Sequence, residues 1–292
     1  MNFRDMLLAG MVSVIWGLSF VASRIALDDF SPAQLTLIRF LIACLPVLFV
    51  PRPRLPWRTL LLTGATIFAG QFLLLFFAFA AGMPPGLASV TQQMQAFFTV
   101  LLAAVFLHDI PTRKECLGMA TAFAGLVFIA ATIGGNLPPL ALGLALGAAM
   151  SWAIGNVIVK RHPGVPMLAL VVWCSLVPPV PALALSILVD RDPSLLHAVA
   201  HASALGLGAA VYLGAVATIV AYAIWGRLLQ RHSTAVVAPF ALIAPCSGIV
   251  ASKMVFGEMF TPTRLCGMAL ILAGLAVTAL PFGRVRRYVL SR

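Results

Sequence analysis

Four glutamines and a few aromatic residues lie in stretches of this chain where apolar neighbours leave polar groups little water to bond. The densest set is Thr91-Gln92-Gln93-Met94-Gln95. On a helix Gln92 and Gln95, three apart, share a face, and Gln93 lies about 100° round from it. Amide side chains hydrogen-bond a zwitterion or a heterocycle without adding charge. They also serve to satisfy neighbouring helices, so each has a structural reading beside the binding one. Gln71 is an isolated amide amid Phe and Leu. Trp16, Trp152 and Tyr222 fall inside apolar runs, away from the membrane interfaces where Trp and Tyr concentrate. They can stack on an aromatic or amphipathic solute, or simply pack. Asn156 follows Trp152 by four residues, which places the two on one helical face. Trp16, Gln71, Gln92, Gln95, Trp152, Asn156 and Tyr222 are therefore the candidate substrate-binding residues. Trp173 and Trp225 sit nearer helix ends and read as anchors or packing. Arg39 is a fixed positive charge able to bind a carboxylate, although reaching the surface or backbone carbonyls is the simpler reading.

What is missing constrains the chemistry further. The eight carboxylates (Asp5, Asp28, Asp29, Asp109, Glu115, Asp190, Asp192 and Glu258) lie at or beyond predicted helix ends. A carrier that exchanges protons for cationic drugs needs an acid inside the membrane, where such groups are costly and functional. None is expected here, so the solute is neutral or zwitterionic. His108, His162, His197, His201 and His232 also fall near helix ends, so no intramembrane His/Asp/Ser or metal constellation for an enzyme exists. His197 and His201 suit a short interfacial helix, but two imidazoles without further ligands do not make a metal site. Cys44, Cys116, Cys174, Cys246 and Cys266 show no CxxC spacing and read as small buried hydrophobes. No catalytic residue, metal or cofactor is expected.

The elements that must position these groups are membrane helices. The chain is 62% hydrophobic and 9% charged, with a mean hydropathy of +1.05. A bilayer span takes about 20 apolar residues. Ten such runs occur, near 7–23, 33–50, 59–81, 87–107, 116–133, 140–159, 167–188, 203–225, 234–256 and 263–282. The first lacks a small-residue cleavage site and reads as a retained helix. Continuous apolar runs without alternation exclude a barrel. The net charge of +11 does not signal nucleic acid. With a cytoplasmic N-terminus, fourteen of nineteen basic residues collect on the cytoplasmic side, among them Arg52, Arg54, Arg58, Arg113, Lys114, Lys160, Arg161, Arg227 and the Arg284–Arg292 cluster. That is the positive-inside pattern, with both termini cytoplasmic. Helix breakers mark where movement is expected: Pro85 leads into the fourth run, and Pro239 and Pro245 interrupt the ninth.

The chain is also duplicated. Gly118-Met119-Ala120 and Ala124-Gly125-Leu126 return 149 positions later as Gly267-Met268-Ala269 and Ala273-Gly274-Leu275. A weaker echo, offset by 136, sets Trp16 through Arg24 against Trp152 through Lys160. A unit with an odd number of spans must invert on duplication, an arrangement common in carriers. Trp16-Gly-Leu-Ser-Phe-Val-Ala-Ser-Arg24, then Ser31-Pro32 and Arg39-Phe40, resembles the opening of the EamA-type repeat of the drug/metabolite transporter superfamily. Phe106-Leu-His-Asp109 and Phe256-Gly-Glu258, each followed by a Gly-Met-Ala helix, resemble its close. The likeness covers about residues 8–132 and 142–281 and is greatest to the bacterial aromatic amino-acid exporter branch. The second half departs from it, with Ala153 and Asn156 where the first has Gly17 and Phe20. The resemblance implies an all-α integral membrane protein of ten transmembrane helices in two inverted five-helix repeats, residues 1–137 and 138–292. It implies a multi-pass inner-membrane exporter of aromatic or amphipathic amino acids or related metabolites, working by alternating access. The expected partners are a small-molecule substrate and the lipid bilayer, with no nucleic acid, and a monomer suffices. A proton-coupled multidrug or nucleobase exporter is the alternative.

Overall fold

The structure is a computed structural model that describes residues 1–133 and 137–279. The two halves are expected to join at Gly134-Gly-Asn-Leu-Pro-Pro139; residues 134–136 of that junction and the basic cluster Arg284–Arg292 lie outside the described residues. Every one of the ten apolar runs is helical. The helices are α1 (Phe3–Ala26), α2 (Pro32–Leu48), α3 (Trp57–Ala80), α4 (Pro85–Leu107), α5 (Arg113–Ala130), α6 (Pro139–Lys160), α7 (Met167–Val189), α8 (Ala204–Arg231), α9 (Pro239–Phe256) and α10 (Pro262–Ala279). Eight of them are long and apolar enough to cross a membrane. The other two are α2, a shorter apolar helix, and α5, whose first turn carries Arg113, Lys114 and Glu115. A seven-residue helix, Leu195–His201, forms where the paired histidines predict one.

Local chemistry sets the helix ends. Ser31 with Gln34 and Thr112 with Glu115 form reciprocal capping boxes at the starts of α2 and α5, each satisfying two orphan backbone N–H groups. Proline opens α2, α4 and α6 in the first turn, where its missing N–H is harmless. Helices α4 and α9 end alike. His108 (φ 53°) and Gly257 (φ 63°) take the left-handed conformation, and their N–H groups return to the carbonyls of Ala103 and Lys253.

Several helices depart from regular α geometry: α2 ends as a 3-10 segment, Leu45–Leu48, and α7 is interrupted at 175–178 between Met167–Cys174 and Pro179–Val189. Wide π-type turns occupy Gly64–Gly70 of α3 and Tyr212–Val220 of α8. In α4 the regular bonding stops at Gln92-Gln93, where Gln95 N–H bonds the Gln92 carbonyl at 3.1 Å and Ala96 N–H bonds Gln93 at 3.0 Å. Helix α9 starts as a 3-10 segment, Ala238–Leu242, containing Pro239. The break in α4 thus lies at the glutamines, while Pro85 sits quietly in the first turn.

Packing follows membrane rules rather than soluble ones. Phe49, Leu188, Met254 and Leu196 are almost fully exposed, as a lipid-facing surface requires, and the interior holds small residues. Helices α5 and α10 cross on their glycines. A Cβ on Gly118 would stand 2.7 Å from the Gly274 carbonyl oxygen, and one on Gly125 would stand 2.5 Å from that of Gly267. The converse approaches, Gly267 to Gly125 and Gly274 to Gly118, measure 2.6 and 2.4 Å. Such close approach is what small residues give membrane helices. The cysteines depart from expectation: Cys174 is buried, but Cys116, Cys246 and Cys266 are exposed. Burial is not required of a small apolar thiol where the outside is lipid.

Candidate functional site

A cavity of about 310 Å³ opens between the helices of the two halves. That is the lower end of the size range of ligand sites, roughly 300–1,000 Å³. From the first half it is lined by Trp16, Ser19, Phe20 and Ser23 of α1, Arg39 of α2, Gln71, Phe72 and Leu75 of α3, and Gln92, Gln93 and Gln95 of α4. The second half supplies Trp152 of α6, Met167 of α7, Tyr222 and Trp225 of α8, and Ala241 and Ala244 of α9. Six of the seven candidate binding residues, all but Asn156, therefore face one space.

The irregular helices explain how they get there. The π segment of α3 ends immediately before Gln71, and that of α8 ends immediately before Ala221-Tyr222. An extra residue per turn rotates the following side chains, and such segments favour functional sites. The tightened turn at Gln92-Gln93 lets Gln92, Gln93 and Gln95 all reach the cavity, where a regular helix would send Gln93 elsewhere. The two repeats contribute matching positions. Gln92 and Gln95 correspond, 149 residues on, to Ala241 and Ala244, and Trp16 corresponds to Trp152 at the 136 offset. One side of the cavity is therefore amide-rich and its symmetry mate is apolar.

The aromatic wall is a cluster. Trp16 meets Tyr222 at 5.2 Å and Trp225 at 5.1 Å between ring centroids, tilted 55° and 61°, in the edge-on geometry aromatic pairs prefer. Trp16 is fixed by donating its indole N–H to the Ala217 carbonyl at 3.1 Å. Trp225, read from sequence as an anchor or packing residue, is buried in this cluster. The signal that finds it is its position three residues after Tyr222, on the same face. Trp173 instead bonds the Val50 carbonyl at 2.9 Å and packs on Trp57.

The polar wall holds surprises. Asn156 lies off the cavity. It donates to Gln95 Oε1 at 2.9 Å and to Thr99 Oγ1 at 3.2 Å, orienting Gln95 from behind. Gln93 donates to the Ser89 carbonyl at 3.2 Å. Arg39 does not reach the surface or a carbonyl. It is 3% exposed, its guanidinium lies 3.8 Å above the Phe72 ring, and Nη2 donates to the Thr218 hydroxyl at 3.2 Å. Arg39 Nε and the Oε1 atoms of Gln71 and Gln92 are buried and have no hydrogen-bond partner in the structure.

Every carboxylate is engaged elsewhere. Asp28 pairs with Arg24, Asp109 with Lys160, Asp192 with His197 and Asp5 with His232. Asp29 accepts from Ser203, Asp190 from Ser31 and Ser186, Glu115 from Thr112, and Glu258 from the Gly86 N–H. The backbone N–H of Ser194, with His197, holds the exposed Asp192 carboxyl below its usual range. No carboxylate lines the cavity. Among the described residues no group of three or more His, Cys, Asp or Glu could hold a metal ion.

The description of the EamA-like transporter family matches residues 4–131 and again residues 139–280. The chain belongs to the EamA-like transporter family. This EamA-like protein is a multi-pass membrane transporter built from two copies of the family unit. It is 40% identical, over 98% of both chains, to a Salmonella typhimurium protein named "Probable amino-acid metabolite efflux pump". An Escherichia coli protein of the same name is 37% identical over 95% of both. A "Probable terminal-alkyne amino-acid exporter" of Streptantibioticus cattleyicolor is 29% identical over 89% of this chain and 88% of its own. A crystal structure at 20% identity superposes with a TM-score of 0.66, covering 96% of this chain and 99% of that one, and shows the same fold.

Proposed function

We propose that this EamA-like transporter exports amphipathic or aromatic amino acids, or related small metabolites, across the inner membrane by alternating access. All ten helices span, both termini are cytoplasmic, and the two five-helix repeats, 1–137 and 138–292, are inverted. The observation that carries the reading is the composition of the cavity. It is assembled from both halves and lined by the Trp16–Tyr222–Trp225 cluster, by Trp152, and by Gln71, Gln92 and Gln95, with no carboxylate. Aromatic rings and neutral amides suit a zwitterion with a hydrophobic side chain. The names of the relatives, efflux pumps for amino-acid metabolites and an amino-acid exporter, support the same class. Transport is facilitative, because no acid in the cavity links a proton to the solute. Helices α4 and α9 are the gate elements: α4 starts at Pro85 and hinges at Gln92-Gln93, and α9 hinges near Pro239 and Pro245, where its 3-10 start gives way to the α-helix.

Purified protein in liposomes, offered a panel of labelled amino acids with and without a pH gradient, tests this. Saturable counterflow of at least one amphipathic amino acid, at a rate indifferent to the gradient, is the expected result. Gradient-driven uptake of a cationic drug or nucleobase, with no amino acid moved, would establish the alternative of a proton-coupled multidrug or nucleobase exporter.

A further inference from the structure

Burying a guanidinium without a counter-ion is expensive, and so is leaving a buried amide oxygen without a donor. Arg39 is in that condition: the Phe72 and Phe40 rings and one hydroxyl face it, and all eight carboxylates have other partners. Gln71 is adjacent in sequence to Phe72, the ring beneath Arg39, and Gln92 lines the same cavity. A donor without an acceptor and two acceptors without donors thus border one small space. We propose that Arg39 binds the carboxylate of the substrate and that the amide oxygens of Gln71 and Gln92 accept from its ammonium. The cavity then recognises the head group of a free α-amino acid, while the Trp16–Tyr222–Trp225 cluster receives the side chain. This rests on the amino-acid reading above and adds a specific requirement: a solute lacking the carboxylate loses its anchor.

The probes are L-phenylalanine and L-leucine, their decarboxylated amines phenethylamine and 3-methylbutylamine, and 3-phenylpropionate, which lacks the ammonium. Competition in counterflow and quenching of tryptophan fluorescence in detergent are both read. In the wild type the free amino acids compete at least tenfold better than the amines, and Arg39→Gln abolishes that preference while Arg39→Lys keeps part of it. In Gln71→Leu/Gln92→Leu, 3-phenylpropionate gains on phenylalanine. Equal competition by acids and amines in the wild type overturns the proposal even if Arg39→Gln does not fold. So does an Arg39→Gln protein that elutes as a single species and keeps the preference. A wild type that moves no amino acid overturns the amino-acid reading itself.

An independent set of contacts carries a second inference. The acids that follow the left-handed caps of α4 and α9, Asp109 and Glu258, are repeat counterparts, and so are Lys160 and Arg24 at the ends of α6 and α1. Helix α4 packs along α6 and α9 along α1. One pair, Lys160–Asp109, is closed. The equivalent pair is not: Arg24 is bound to Asp28 at 2.6 Å, and Glu258 accepts from Gly86 N–H at 3.2 Å. Burial holds the Glu258 carboxyl above the usual carboxylate range, against the pull of Ser252, Gly86 and the nearby Arg264 cation. We infer that the two pairs are latches on opposite membrane faces and that Arg24–Glu258 closes when Lys160–Asp109 opens. In a cysteine-free background, Arg24→Cys/Glu258→Cys and Lys160→Cys/Asp109→Cys should each cross-link in part of the population, each stopping counterflow. Arg24→Glu should slow counterflow at least fivefold, with recovery on adding Glu258→Arg. Both cross-links in one molecule, or no recovery in the swapped pair, overturns the latch.

Discussion

Asn156 and Gln95 show how a polar residue in a membrane protein serves a site it does not touch. Asn156 holds Gln95 Oε1 at 2.9 Å and Thr99 at 3.2 Å, which leaves the Gln95 amine turned toward the cavity. Removing one such bond is worth about 1 kcal/mol, or roughly fivefold in affinity. Asn156→Leu is therefore expected to raise the KM for counterflow several-fold with little change in the amount of folded protein. A second prediction concerns Trp225, which packs on Trp16. Trp225→Ala opens the aromatic wall and should weaken large apolar amino acids more than small ones, read as a changed ranking in competition assays. The amides and Trp16, Trp152 and Tyr222 were legible in sequence because polar and amphipathic groups inside apolar runs need a reason to be there. The environment of Arg39 was not, since a cation two turns into a helix reads more simply as one that reaches the surface or backbone carbonyls. Only the tertiary placement of Phe72 and Thr218 distinguishes the two.

The helices carry the duplication more faithfully than the site does. Gly118 and Gly267 are repeat counterparts, as are Gly125 and Gly274, and in the structure they meet crosswise where α5 passes α10. Backbone carbonyls stand where a methyl would go, so nothing flexible can yield. Gly125→Ala and Gly267→Ala should each cost about 1–3 kcal/mol, seen as an earlier thermal transition in detergent. Gly143→Ala, whose added methyl meets nothing within 4 Å, should leave the transition unchanged or raise it. The shared motif thus marks scaffold, which is why it survives in both halves. The π segments at Gly64–Gly70 and Tyr212–Val220 had no sequence signature. They change the bonding by one residue, and apolar runs look the same whether their turns hold four residues or five. Prolines drew attention to α4 and α9 for a partly different reason than the structure gives: in α4 the break lies at Gln92-Gln93, beyond Pro85.

At the scale of the whole molecule, the cavity draws on both halves, and the proposed inversion of the repeats would put equivalent helix ends on opposite sides of the bilayer. Under that proposal, a pseudo-two-fold axis in the membrane plane would relate two conformations of similar energy, as alternating access requires. It cannot by itself give specificity. In the proposed site that would come from positions where the repeats differ, amides at Gln92 and Gln95 against alanines at Ala241 and Ala244. The charge distribution makes the topology testable without knowing the substrate. In a variant lacking the five native cysteines, Ser194→Cys, ahead of the Leu195–His201 helix, should react with a membrane-impermeant maleimide on intact cells. His162→Cys, in the exposed turn after α6, should react only after permeabilisation. The reverse pattern would invert the orientation. Reaction of both from outside would place α7 on one side of the membrane and break the five-plus-five count. An even number of spans per half would then leave the repeats parallel, and a single cavity could no longer present the same walls to two sides in turn.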